Sequence, residues 1–258
     1  MKSLKRQIIG LALSLSAAIF STLSQATIVQ FETALGNFEV NLYDTRTPQT
    51  VANFLQYVNA GDYSNAIIHR SVSNFVIQGG GFEYDNAWPV TAINANAAVT
   101  NEPVFSNVRG TIAMAKLSGN PNSATNQWFF NLTNNSQNLD RENSGFTVFG
   151  EVTGNGMAII DQIAALDKYN FSGANAALGE LPLQNYTGSG DPDNSNLVII
   201  TNITVIDAAT DTAASLNPPL NIGPATPPTE PTSSGGGGAI NALLLGLFVL
   251  LIVGRRRS

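Results

Sequence analysis

"IIHRSVSNFVIQGGGF", residues 67–82, decides how the rest of this sequence is read. It holds the only histidine of the 258-residue chain, His69, directly followed by Arg70, and it closes on Gly79, Gly80 and Gly81. The surroundings are apolar, with Ile67, Ile68, Val72, Phe75, Val76 and Ile77 close by. An imidazole and a guanidinium in such a place form either a buried structural pair or part of a site. The glycines suit a tight backbone turn after a strand. They do not suit a phosphate loop, because no helical pattern and no P-loop lysine follows.

Composition removes several classes of function. The chain has no cysteine, so disulfides, thiolate nucleophiles and cysteine-bound metals are excluded, and a single histidine excludes a multi-histidine metal centre. All 18 acidic residues lie between Glu32 and Glu230, whereas 6 of the 12 basic residues sit before residue 7 or after residue 254. The middle of the chain therefore carries 6 − 18 = −12 charges. A body this acidic repels a phosphate backbone, so nucleic acid is not expected as a partner.

The two ends read as targeting segments. Met1 to Arg6 is basic, Ile8 to Phe20 is apolar, and Ser24-Gln25-Ala26 supplies small residues where a signal peptidase reads. Residues 1–26 are expected to be a secretory signal, with the mature chain starting at Thr27. A permanent N-terminal anchor is the competing reading, and it fits less well with so short an apolar run. Residues 209–238 are rich in Pro, Thr, Ser and Gly, an extended exposed linker. Residues 239–258 then combine an apolar run, shorter than the ~20 residues that cross a bilayer comfortably, with Arg255, Arg256 and Arg257 at the end. The arginines would stay cytoplasmic and place the body of the chain on the far side.

Between these ends, residues 27–208 are the right size for one domain. Val29, Phe31 and Thr33, then Phe38, Val40 and Leu42, alternate with polar residues on either side of Gly36, which predicts a β-hairpin with one buried face. From Thr47 the period changes. Thr47 can cap, Pro48 suits the first helical position, Val51, Phe54, Leu55 and Val58 share a face, and Gly61 ends the helix. A second helix is predicted from Gly156 to Ala165. Strands are predicted at Thr111–Ala115, Gln127–Leu132, Thr147–Val152 and Asn196–Asp207, with surface loops at 83–107 and 170–196. Many short strands and few helices predict a mostly β protein with an antiparallel sheet, closed or nearly closed.

Four segments carry a resemblance. "IIHRSVSNFVIQGGGF", "GTIAMAK" (110–116), "NSATNQWFFN" (122–131) and "NLDRENSGFTVFGEV" (138–152), in this order, resemble the cyclophilin family of peptidyl-prolyl cis-trans isomerases, most closely its bacterial periplasmic branch. The likeness runs from Ile28 to Asp207. It implies a closed eight-stranded antiparallel barrel capped by two α-helices, a monomer that needs no cofactor or metal, and proline-containing polypeptides as partners. The tail of glycines, apolar helix and arginines resembles the GlyGly C-terminal sorting signals of Gram-negative bacteria. That implies cleavage by a rhomboid-type protease, with an uncleaved membrane anchor as the alternative. Either way the expected location is the periplasm or the outer cell surface.

Carried onto this sequence, the family pattern makes Arg70 the catalytic arginine and Gln78 the polar residue that orients substrate and arginine. Phe75, Val76, Ala115, Gln127 and Phe129 match the groove, with Phe129 at its floor and Leu139 and Phe146 at the far rim. His69 matches a structural position. The sequence departs from the family at three places. Asn138 stands where eukaryotic members have tryptophan, which predicts weak cyclosporin binding; Val76 replaces a methionine, and Phe146 a frequent histidine. Folding assistance to exported proteins is the implied function. A non-catalytic module that holds a proline-bearing segment is the alternative, disfavoured by the intact set of Arg70, Phe75, Gln78 and Phe129.

Overall fold

The computed structural model describes residues 27–208, 212–213 and 216–223. The opening hairpin forms as its alternation predicts. Strands β1 (Ile28–Thr33) and β2 (Phe38–Leu42) pair with Phe31 opposite Phe38, and their rings stack at 4.9 Å. Helix α1 (Pro48–Ala60) follows, and Gly61, at φ 78°, ends it by donating back to the carbonyls of Tyr57 and Val58. Its start differs from expectation. The Thr47 hydroxyl donates to the Tyr43 carbonyl and does not cap. Glu102, distant in sequence, accepts from the backbone N–H groups of Gln49 at 3.3 Å and Thr50 at 2.9 Å, placing a carboxylate at the positive end of the helix.

The chain then lays down β3 (Ala66–Ile67), β4 (Arg70–Val72), β5 (Val76–Gly79), β6 (Phe82–Glu83), β7 (Thr91–Ala92), β8 (Thr111–Met114) and β9 (Trp128–Asn131). A short helix α2 (Ser136–Leu139), β10 (Val148–Val152), α3 (Gly156–Ala165), β11 (Asp167–Tyr169), β12 (Leu181–Leu183) and β13 (Ile199–Asp207) complete it. Eleven strands form one antiparallel sheet in the order β4-β5-β9-β8-β10-β2-β1-β13-β3-β6-β7. The sheet is strongly curled. The Ile68 N–H donates to Val198 beside β13, and the next N–H, of His69, donates to Gln78 on β5. The mostly β expectation holds, and the described strands number eleven in the curled sheet and two in the separate pair β11–β12.

Inside the curl lies an aromatic core of Phe31, Phe54, Trp128, Phe130 and Phe149, all fully buried, onto which α1 and α3 pack. Each side chain of this kind stabilises the fold by ~1.5–3 kcal/mol. The closest backbone approach is at Gly80, where a Cβ would meet the Asn126 carbonyl and the Trp128 indole, each at 2.6 Å, and φ is +76°. The turn read from the glycine triplet is therefore also a contact with the central tryptophan.

Residues 170–196, expected as a surface loop, carry a core of their own. Leu178, Leu181, Leu183 and Leu197 are buried with Ile67, Phe82, Tyr84 and Val90, and Trp88, Phe171 and Tyr186 pack around them. The described residues of the segment expected to be an exposed linker include a turn at 212–213, and 219–221 lie along the domain. Leu220 bridges to Phe105, the Ser106 N–H donates to the Pro219 carbonyl at 2.8 Å, and Asn221 donates to Val104 at 2.9 Å. Among the described residues no helix is long and apolar enough to cross a membrane. The segments 1–26 and 239–258, read above as signal and sorting or anchor segment, lie outside the described residues.

Candidate active site

Residues directly opposite one another in an antiparallel pair point to the same face of the sheet. Arg70 on β4 stands opposite Gln78 on β5, Gln78 opposite Phe129 on β9, and Phe129 opposite Ala113 on β8. One row of the sheet therefore carries the cation, the amide and an aromatic ring in succession. The alternation of β5, β8 and β9 divides their side chains: Ile77, Ile112, Met114, Trp128 and Phe130 enter the main core. Val76, Ala113, Ala115 and Phe129 point the other way and meet Leu139, Phe146, Val148, Tyr43 and Phe105 in a second cluster, with Phe75 packed against it.

The residues singled out from the sequence thus come together. Phe129 and Phe146 meet edge to face, with centroids 5.8 Å apart and planes at 73°. The Gln78 amide donates to Gln127 Oε1 at 2.8 Å, and the Ala115 N–H donates to the Gln127 carbonyl at 2.9 Å. Phe75 is fixed through its carbonyl, which accepts from the Leu132 N–H and from the Asn135 side chain, each at 2.9 Å.

His69 is fully buried and packs edge to face with Phe82 at 5.1 Å. Burial first, and the neighbouring Arg70 charge second, hold its imidazole down to about 3, so it is neutral at physiological pH. This is the structural part that its position implies. Nothing in it offers proton transfer.

Three groups at the site escaped the sequence reading. Asp140, buried next to rim residue Leu139, accepts from the Ser106 hydroxyl, from the Asn107 N–H at 2.7 Å and from the Asn107 side chain at 2.9 Å. Asn107 also donates to the Phe146 carbonyl at 3.1 Å, so one carboxylate ties both ends of the rim turn to the loop before β8. Lys116, buried directly after Ala115, donates to two carbonyls of that turn, and desolvation holds its amine down to about 8. Glu180 pairs with Arg70 Nε at 3.0 Å. Asp140 and Lys116 lie inside the quoted motifs, where adjacency to Leu139 and Ala115 was the available signal. Glu180 offered none.

Residues 28–182 match the family described as cyclophilin type peptidyl-prolyl cis-trans isomerase/CLD. The peptidyl-prolyl cis-trans isomerase of Acinetobacter baylyi is 43% identical over 139 residues, 54% of this chain and 72% of that protein. Peptidyl-prolyl cis-trans isomerase A of Dickeya dadantii is 38% identical over 173 residues, 64% of this chain and 87% of its relative. In fold, the chain resembles the crystal structure of a cyclophilin type isomerase from Cryptosporidium parvum, with a TM-score of 0.52 at 18% identity over 70% of this chain and 98% of that one. By its match over residues 28–182, this chain belongs to the cyclophilin-type peptidyl-prolyl cis-trans isomerase family.

Proposed function

We propose that the chain accelerates rotation about X-Pro bonds in exported polypeptides, with Arg70 as catalytic group and Gln78 beside it. Phe75, Val76, Ala115, Gln127, Phe129, Leu139 and Phe146 form the proline groove. The observation that carries this reading is the single row of Arg70, Gln78 and Phe129 on the face of the sheet that carries the apolar cluster.

Rotation of a prolyl amide is slow because lone-pair delocalisation gives the C–N bond double-bond character, with a barrier of ~18–20 kcal/mol. In the twisted state the lone pair returns to nitrogen, which becomes a hydrogen-bond acceptor. A guanidinium beside that nitrogen binds the twisted state better than the planar one, and this difference accelerates the reaction. Phe129 and Phe146 would hold the pyrrolidine ring while the rest of the chain turns. An acceleration of about a hundred-thousandfold corresponds to ~7 kcal/mol. The mechanism requires no nucleophile or general base.

We read the curled sheet as the eight-stranded closed barrel of the family, supported by the run 66–72, whose N–H groups reach both flanks of the sheet. We further read residues 1–26 as a signal peptide, 27–208 as the isomerase domain, 209–238 as the linker and 239–258 as a GlyGly-type sorting segment. The segment would hold the protein in the membrane at least until processing, in the periplasm or at the outer surface. These readings are supported by composition alone. The test of the activity is exchange NMR of an Ala-Pro peptide with the full chain and with Arg70→Ala. Acceleration that falls at least about a hundredfold in the variant is expected. Peptide binding without acceleration would put the binding module in its place.

A further inference from the structure

The catalytic arginine is gripped from outside the four quoted sequence segments. Glu180 lies between the turn at Ala176–Leu178 and β12, and it touches β4 at two consecutive residues. Its carboxylate accepts from Arg70 Nε at 3.0 Å, and its main-chain carbonyl accepts from the Ser71 N–H at 2.9 Å. Leu178 and Leu181, on either side of it, are fully buried in the satellite core, which fixes the backbone from which the carboxylate projects. Gln78, at the position from which the family pattern expects the arginine to be oriented, directs its amide to Gln127.

A guanidinium is a planar fork with donors on three nitrogens. A carboxylate on Nε fixes rotation of the plane and leaves the two terminal nitrogens for another acceptor. In Arg70, Nη1 is buried and meets no hydrogen-bond partner. The ion pair itself is partly open to solvent, with Arg70 and Glu180 side chains 19% and 46% exposed, so it contributes little to stability. What it fixes is direction. The backbone bond from Ser71 anchors the loop independently of the carboxylate, so the side chain is free to serve Arg70 alone.

We infer that Glu180 is a positioning residue for Arg70. The satellite core, where Leu178, Leu181, Leu183 and Leu197 pack with Ile67, Phe82, Tyr84 and Val90, delivers a carboxylate that sets the plane of the catalytic guanidinium and keeps a terminal donor for the twisted prolyl bond. The inference rests on the isomerase reading above. It gives the long segment before β13 a part in catalysis, and it places the aiming of the arginine in Glu180 instead of Gln78.

The test uses the full chain with Glu180→Ala, Glu180→Gln and, as a charge control, Glu39→Gln, an exposed acid on β2. Peptide isomerisation is followed by exchange NMR, and the Arg70 Nε–H resonance is followed without substrate. Glu180→Ala is expected to lower kcat about tenfold with KM little changed. Glu180→Gln, which keeps an acceptor oxygen, should retain most of the rate. In an Arg70→Ala background, Glu180→Ala should cost nothing more. The Nε–H signal should exchange slowly in the native chain and quickly in Glu180→Ala. An unchanged kcat in Glu180→Ala, or an equal loss in the Arg70→Ala background, overturns the inference. A native chain that fails to accelerate the peptide sinks the isomerase reading, and an Nε–H signal indifferent to Glu180→Ala then overturns the pairing itself.

Discussion

The Lys116 ammonium sits 4.8 Å from the centroid of the Phe146 ring, and from that position it donates to the carbonyls of Asn143 at 2.9 Å and Gly145 at 2.6 Å. A buried cation thus clasps the turn that presents Phe146, proposed as the groove's far rim. Asn143 and Ser144 in that turn stand at φ 50° and 65°, a region that side-chain-bearing residues rarely adopt, so the turn gains from outside support.

Replacement of Lys116 by Met keeps much of the packing and removes the donors. The expected result is a KM several-fold higher, with kcat changed by less than about threefold, because rim and not catalytic group is disturbed. Steady-state kinetics on a proline peptide decide it. A fall in kcat alone would contradict the assignment.

Asp140 accepts three hydrogen bonds in a buried setting. Truncation by Asp140→Ala strands the Ser106 and Asn107 donors, and the expected loss is about 3 kcal/mol of unfolding free energy. Urea denaturation measures it. A loss below about 1 kcal/mol would mean that the loop before β8 holds without this carboxylate.

His69 makes stability depend on pH in a definite direction. Its folded-state value is depressed to about 3 from 6.5, so between these values the unfolded chain binds the proton and the native chain does not. Stability therefore falls as pH drops from 6.5 towards 3, with a contribution of up to ~1.4 kcal/mol per pH unit. Urea midpoints at several pH values should show a shallower decline in His69→Gln than in the native chain. Parallel declines would refute the buried neutral imidazole.

Asn138 directly precedes Leu139, proposed for the rim, and its Oδ1 is buried with no hydrogen-bond partner. No indole donor or broad apolar surface is present there. Calorimetry with cyclosporin is expected to give an affinity weaker than micromolar, improved by Asn138→Trp. Nanomolar binding by the native chain would refute the prediction.

Much of this was readable in the sequence where a period repeats. The alternation of Val29 to Leu42 and the spacing of Val51, Phe54 and Val58 each run long enough to define a face, and the structure buries those faces. The residues proposed as the site were singled out by the resemblance of four segments, and the structure shows that β5, β8 and β9 alternate, sending Ile77 and Phe130 to the main core and Val76 and Phe129 to the second apolar cluster. Two-residue strands such as β3, β6 and β7 carry no period, so the number of strands was not accessible. The satellite core was hidden because Tyr169, Phe171, Leu178 and Tyr186 are scattered among Asn and Gly. Long-range partners, Glu102 for α1 and Glu180 for Arg70, exist only once the chain has folded.

The strip of chain after β13 has a mechanical consequence. Its backbone is hydrogen-bonded to Val104 and Ser106, and the Asn221 side chain donates to the Asp140 carbonyl at 3.2 Å. Tension applied to the C-terminus would load these bonds first, and through Asp140 it would reach the turn above Phe146 before it reached β13. A tug on the tail would thus be felt at the turn that carries Phe146 before it reached the aromatic core.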